Sequence, residues 1–151
     1  IDVTYYLQAA YSSLYQQETK TILLADDDLF FRDTLKPVLI GAGYKVTSAG
    51  SAAQLMELLE QRKDFDALLI DAEMETADGE DLADHLRVNA LKADFPVFRL
   101  YERPAHAVLN IPATDPMTMN LSKLDRQGLL STLASVLVKQ DTYETSKELA
   151  A

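Results

Sequence analysis

Five short apolar runs, separated by stretches with helical spacing, constrain the fold of this chain more than any other feature. The runs cover residues 21–25, 44–49, 67–70, 96–101 and, more weakly, 117–121. Short and nearly continuous apolar runs are typical of strands that are buried on both faces, as in a parallel sheet. Strand–helix alternation repeated five times therefore predicts an α/β fold, a five-stranded parallel sheet with helices on both faces.

The segments between the runs carry helix signals. Ser51, Asp78 and Asp125 each precede a stretch with helical spacing. Short polar side chains at such positions accept hydrogen bonds from the first free N–H groups of a helix, so we predict that these three residues are N-caps. Residues 103–115 lie among prolines and leave room for only a short helix.

The two ends differ from this alternating region. Residues 1–20 are predicted to be an N-terminal helix and linker from an upstream domain, because apolar side chains recur on one helical face. Residues 21–140 are predicted to form one domain, and residues 141–151 a polar C-terminal tail that frays. The apolar face at the N-terminus consists of Val3, Tyr6, Leu7, Ala10, Tyr11 and Leu14.

Composition excludes several classes of function. The net charge of −10 argues against nucleic-acid binding, which needs clustered Lys and Arg. The chain has no cysteine, so it has neither disulfides nor thiolate metal sites. Its apolar runs are too short to span a membrane, and no signal peptide is recognisable. We therefore predict a cytoplasmic segment without contact to nucleic acid or membrane.

Acidic residues follow the first and third apolar runs, and a lysine follows the fifth. These residues are Asp26, Asp27, Asp71 and Lys123. Loops at the carboxyl ends of parallel strands converge, so we expect these side chains to meet at one edge of the sheet. Carboxylates within ~4 Å of one another repel by a few kcal/mol per pair at an effective dielectric near 20. A hard divalent cation relieves this repulsion, and oxygen ligands favour Mg²⁺ or Mn²⁺.

Together these residues resemble the response-regulator receiver family of two-component signalling. The intervals agree with that family, with 44 residues from Asp27 to Asp71 and 52 from Asp71 to Lys123. The resemblance implies a flavodoxin-like, CheY-like fold in which Asp71 is the phosphoacceptor and Lys123 contacts the phosphoryl group. It further implies that Asp26, Asp27, Asp71 and the backbone carbonyl of Glu73 bind the metal.

A narrower resemblance is to the receivers at the C-terminus of CheA-type hybrid chemotaxis histidine kinases. The sequences DLFFR at 28–32, KPVL at 36–39 and SKLDRQGLL at 122–130 carry it. This resemblance implies a histidine kinase or histidine phosphotransfer domain as phosphodonor, in the same polypeptide or in another. The parent chain is then a histidine kinase, a transferase, whereas this domain is a phosphoacceptor rather than an enzyme in its own right.

Two positions depart from the receiver pattern. The family usually has Thr or Ser at the end of the fourth strand, where this chain has Tyr101, or Glu102 if the strand slips by one residue. Three residues before the lysine the family commonly has an aromatic residue, and here the residue is Asn120. Our hypothesis is that the domain can be phosphorylated but signals weakly through its fourth helix and fifth strand. It would then act as a phosphate sink or as a regulator of its own kinase.

Two other functions remain open at this point. The departures at Tyr101 and Asn120 fit a degenerate receiver that binds proteins without being phosphorylated, although the retained acids and lysine argue against it. A Mg²⁺-dependent aspartate phosphatase resembling the haloacid dehalogenases also places an aspartate nucleophile after its first strand. That family has Thr or Val at the last position of its motif, whereas this chain has Phe30.

Overall fold

The computed structural model describes the backbone of residues 19–150 and the side chains of residues 19–138. It contains one parallel sheet with the strand order β2-β1-β3-β4-β5, so the predicted fold class is confirmed. The strands are β1 (Thr21–Ala25), β2 (Lys45–Ala49), β3 (Ala67–Asp71), β4 (Val97–Tyr101) and β5 (Thr118–Ser122).

A helix follows each strand, as the alternation predicts. The helix between β4 and β5 has a single turn, which confirms the prediction of a short helix there. The helices are α1 (Leu29–Gly41), α2 (Ala52–Gln61), α3 (Leu82–Asn89), α4 (Ala105–Val108) and α5 (Arg126–Ala150).

Two of the three predicted N-caps are confirmed. Ser51 caps α2, and Asp125 accepts a hydrogen bond from the backbone N–H three residues further on, in the first turn of α5. The prediction for Asp78 was wrong, because Asp81 caps α3. Gly79, at a φ of +82°, closes a turn back to Thr76 and delays the start of the helix. Glycine adopts this left-handed conformation without the steric cost that a side chain would carry.

The core lies on both faces of the sheet. Alternate residues of a strand point to opposite faces, so Leu23 packs against α2 and α3 while Leu24 packs against α1 and α5. All five residues of β1 and of β3 are buried, which is why these strands read as continuous apolar runs. The central strands are thus fixed from both sides, and their carboxyl ends are held in place.

The two ends of the chain are only partly described. The predicted N-terminal helix lies outside the described residues. The last helix, α5, continues to Ala150, so the backbone is helical through most of the predicted tail. The domain boundaries at residues 20 and 140 stay predictions. Within the described part of the chain, no helix has both the length and the apolar character needed to cross a membrane.

Candidate functional site

Three strands bring the predicted site residues to one edge of the sheet. Asp26 follows β1, Asp71 is the last residue of β3, and Lys123 follows β5. The backbone N–H of Lys123 donates to the carbonyl of Tyr101 at 2.8 Å, which extends the hydrogen bonding between β4 and β5 beyond the last strand residue. The structure therefore brings these residues together, as expected from the sequence.

Lys123 lies between the two buried aspartates. Its Nζ is 2.7 Å from Oδ2 of Asp26 and 3.4 Å from Oδ1 of Asp71. The side chain is 6% exposed, and its ammonium group lies 4.5 Å from the centre of the Phe31 ring. An ammonium group over an aromatic face gains a cation–π attraction, so Phe31 both shields and attracts this charge.

The turn after β1 is held by several hydrogen bonds. Oδ1 of Asp26 accepts from the N–H of Asp28 at 2.9 Å, and its backbone carbonyl accepts from Nη1 of Arg32 at 2.8 Å. The guanidinium group of Arg32 also lies against Gly50, where a Cβ atom would be 2.3 Å from Nη1. Gly50 thus leaves the space in which Arg32 can reach the turn that carries the acids.

Asp71 is fixed at the start of the loop that follows β3. Its Oδ1 accepts from the N–H of Glu73 at 3.2 Å, and its carbonyl accepts from the N–H of Met74 at the same distance. The side chain of Glu73 is exposed. The predicted contact of the Glu73 carbonyl with a metal stays a prediction.

Burial and ion pairing have opposite effects on the pKa values of Asp26 and Lys123. Burial raises the pKa of Asp26, and the hydrogen bonds from Lys123 and the Asp28 N–H only partly offset this effect. Burial alone would lower the pKa of Lys123, but the hydrogen bond and charge of Asp26, together with the charge of Asp71, outweigh it and raise that pKa. Lys123 therefore remains a cation at neutral pH.

The three acids form an arrangement suited to a divalent cation. One carboxylate oxygen each from Asp26, Asp27 and Asp71 lies within 4.8 Å of the others. Asp27 is exposed and borders an open cleft of about 350 Å³, which also touches Glu73 and Gly50. An all-oxygen donor set with one open side fits a hard ion such as Mg²⁺, which keeps part of its water shell.

The two departing positions lie on neighbouring strands of the same sheet, the inner strand β4 and the edge strand β5. Tyr101 is the last residue of β4, and its ring is 5.8 Å from the guanidinium carbons of both Arg99 and Arg103. Glu102, the alternative position, lies just beyond the strand. Asn120 is half-buried in β5, and its Nδ2 donates to the carbonyl of Ile111 at 3.3 Å.

Sequence reasoning missed the roles of Phe31, Arg32 and Gly50. The first two appeared only as part of a subgroup signature, although they lie in the first turn of a helix that starts beside the acids. Residues in that turn face back over the preceding loop, and this geometry was the available signal. Nothing in the sequence indicated that Gly50, at the end of β2, would approach Arg32.

Comparison with known proteins identifies the same family that the sequence motifs resemble. Residues 22–107 match the family model described as the response regulator receiver domain. The two-component response regulator ARR11 of Arabidopsis thaliana is 34% identical over 80 residues, which are 52% of this chain and 15% of that protein. The two-component response regulator ORR26 of Oryza sativa subsp. japonica is 32% identical over 80 residues, 52% of this chain and 13% of that protein. The chain thus spans only a small part of these curated relatives.

Solved structures agree on the fold. Response regulator protein TrrA of Thermotoga maritima, in complex with Mg²⁺-BeF, superposes with a TM-score of 0.63 at 20% identity, covering 78% of this chain and 99% of that one. A CheY-like receiver domain protein of Methanospirillum hungatei superposes with a TM-score of 0.64 at 22% identity, covering 83% of this chain and 99% of that one. With the strand order, the acidic edge and the family match in agreement, this chain belongs to the response regulator receiver domain family.

Proposed function

We propose that residues 21–140 are a phosphoacceptor domain that takes a phosphoryl group from a phosphohistidine onto Asp71, with Mg²⁺ as cofactor. The observation that carries this proposal is the position of the Lys123 ammonium group, 2.7 Å from Asp26 and 3.4 Å from Asp71. A buried cation beside two acids from distant parts of the chain supplies positive charge where phosphoryl oxygens would arrive. Mn²⁺ is an alternative ion for the same oxygen ligands.

The chemistry follows from the placement of these side chains. A carboxylate oxygen of Asp71 attacks phosphorus, the P–N bond to the donor histidine breaks, and the imidazole nitrogen keeps the electron pair and takes a proton. Lys123 holds a fixed positive charge beside the phosphoryl oxygens. When bound, Mg²⁺ neutralises the acidic cluster and shields the charge of the transferred group.

Each remaining residue of the cluster has a role in holding the cofactor. Asp26, Asp27 and Asp71 would bind the ion through carboxylate oxygens, and Glu73 through its backbone carbonyl. Since Asp27 and the side chain of Glu73 are exposed at the open cleft, this is the side from which donor and water approach. We infer that the Glu73 side chain limits access of attacking water and so tunes dephosphorylation.

The phosphodonor is proposed to be a histidine kinase or a histidine phosphotransfer domain. The subgroup signatures at 28–32, 36–39 and 122–130 support a CheA-type hybrid chemotaxis kinase, with donor and receiver in one polypeptide. The parent protein would then be a transferase, and residues 1–20 would connect this domain to an upstream one. We place the domain in the cytoplasm, because the phosphoryl group of such a donor derives from ATP.

The altered switch positions support a sink or a regulator of the kinase rather than a strong output domain. The Tyr101 ring lies 5.8 Å from the guanidinium carbons of Arg99 and Arg103, and its hydroxyl is at the far end of that ring instead of on the carbon next to the backbone, as in Thr or Ser. Losing one charge-assisted hydrogen bond weakens binding of that group by about 1.5–3 kcal/mol. Asn120 is tied to the loop after α4, and α4 has only one turn, so the usual output face is reduced.

Intact-mass spectrometry after incubation with Mg²⁺ and acetyl phosphate tests the proposal. We expect the mass of one added phosphoryl group, which disappears when a chelator is present. Asp71→Asn should abolish the gain, whereas Asp78→Asn, which changes an exposed acid of the following turn, should leave it unchanged. A gain that persists in Asp71→Asn would overturn the assignment of the phosphoacceptor.

The degenerate-receiver alternative is favoured by one specific observation, the loss of both usual switch residues. It predicts that neither acetyl phosphate nor a phosphorylated histidine donor modifies the chain, even when Mg²⁺ binding is measured separately. The aspartate-phosphatase alternative receives no support from the family match.

A further inference from the structure

A groove runs between α2 and α3 at the end of the sheet opposite the acidic site. Its larger part, about 490 Å³ in volume, has an apolar lining formed by Leu59, Phe65, Leu91 and Phe95. A second cavity of about 350 Å³ continues it between the two helices. The two cavities share Leu59, Lys63 and Ala90, so they form one continuous surface.

The rim of the larger part carries basic residues. Lys63 and Lys92 border it, together with Arg62, whose guanidinium group is paired with Asp64 at 2.8 Å, and no acidic residue is among its described lining residues. This is unusual for a chain with 24 acidic and 14 basic residues. Glu60 lines the second cavity, so it is the larger cavity, with Lys63 and Lys92 at its rim, that fits an apolar segment carrying negative charge.

The start of β1 lies beside this groove. The N–H of Thr21 donates to Oδ2 of Asp66 at 2.8 Å, and the N–H of Asp66 donates to the carbonyl of Thr21 at 2.8 Å. Asp66 directly follows Phe65 of the groove lining. Any chain that precedes Thr21 thus leaves the domain within a few residues of the groove.

The preceding segment has the matching chemistry. Residues 1–18 include Asp2 and Glu18 but neither Lys nor Arg. Their pattern predicts an apolar helical face that contains Leu7 and Tyr11. The face from Val3 to Leu14 covers twelve residues, about 18 Å as a helix, and α2 spans about 15 Å, so the lengths are comparable. A short linker gives an effective concentration on the order of millimolar, so even weak contacts suffice.

We propose that the groove between α2 and α3 is the docking site of this chain's own leading segment, residues 1–18. The apolar face of the segment packs on the apolar lining at Phe65 and Phe95, and its two carboxylates lie near the basic residues of the rim. The docked segment covers a face of the receiver that is remote from the phosphoacceptor site. This inference is independent of the proposed function.

Disulfide cross-linking of the full chain tests the docking, because the chain has no cysteine of its own. The test pair is Tyr11→Cys with Ala90→Cys, at the groove. The matched control is Tyr11→Cys with Ile40→Cys, since Ile40 is exposed near the end of α1, at the same end of the sheet but on its other face. We expect the intramolecular disulfide of the groove pair to form at least tenfold faster. Equal rates, a faster control pair, or disulfides only between chains would overturn the proposal.

A charge variant separates specific docking from random collision. Lys63→Glu together with Lys92→Glu should slow cross-linking of the groove pair severalfold at low salt, and the difference should shrink as salt rises. In the chain without added cysteines, Leu7→Asp should increase amide hydrogen exchange near the end of α2. Unchanged exchange, or a charge variant that cross-links as fast as the parent, contradicts the proposal.

Discussion

Gly50→Ala offers a sharp test of how the acidic turn is held. The new Cβ would lie 2.3 Å from Nη1 of Arg32, so the guanidinium group must move away. Its 2.8 Å hydrogen bond to the carbonyl of Asp26 is then lost. A bond from a charged donor contributes about 1.5–3 kcal/mol to the free energy of unfolding.

The backbone effect of alanine has the opposite sign. Gly50 does not have a left-handed φ, so alanine is tolerated and reduces the entropy of the unfolded chain, which stabilises the protein by about 0.4–1 kcal/mol. The expected net result for Gly50→Ala is a loss of about 1–2 kcal/mol. In an Arg32→Met background the guanidinium is absent, so the same change should stabilise the protein.

Urea unfolding in Mg²⁺-free buffer measures the effect in four proteins: the parent chain, Gly50→Ala, Arg32→Met and the double variant. The matched control is Gly41→Ala, because a Cβ at Gly41 meets nothing within 4 Å and its φ is not left-handed. Gly41→Ala should be stabilising in both backgrounds. The reasoning fails if Gly50→Ala costs the same free energy with and without Arg32, since the steric contact would then not be the cause.

Three further changes have defined outcomes. Asp27→Asn removes one of three mutually repelling carboxylates, so without Mg²⁺ the unfolding free energy should rise by about 1 kcal/mol, and the increase in Tm on adding Mg²⁺ should be lost. Arg87→Met should cost about 3 kcal/mol in urea unfolding, because Arg87 donates to the Thr118 hydroxyl and to the Met117 carbonyl, both at 3.0 Å; a cost under 1 kcal/mol would contradict this. Burial raises the pKa of Asp115, but hydrogen bonds from Thr118 and Met117 outweigh burial and lower it. The cost of Asp115→Asn should therefore be full at pH 7 and vanish as the pH falls through the folded-state pKa, below the unfolded value of about 3.9; a pH-independent cost would refute this cause.

The order of strands and helices and the position of the acidic site could be predicted because each depends on a simple sequence pattern. Continuous apolar runs gave the buried strands, and the rule that carboxyl ends converge gave the meeting of Asp26, Asp71 and Lys123. The assignment of Asp78 as an N-cap failed for a local reason. Asp78 and Asp81 are chemically equivalent caps, and the left-handed turn at Gly79 places the start of the helix after Asp81.

The finer geometry of the site depends on distances that the sequence does not encode locally. The approach of Arg32 to Gly50 joins the start of α1 to the end of β2. The Lys123 ammonium group lies closer to Asp26 than to Asp71. This difference in distance depends on how the lysine side chain passes Phe31. Both features arise from packing between elements that are distant in the chain.

The two separate cores have a consequence for how this protein can change over evolutionary time. Leu23 and Leu24 are neighbours in the chain, yet each belongs to a different cluster of side chains on its own face of the sheet. A substitution on one face is repacked by partners on that face and leaves the other largely untouched. Correlated substitutions among relatives should therefore fall into two groups, one for each face. A lineage could remodel the α2–α3 surface while α1 and α5 keep their residues.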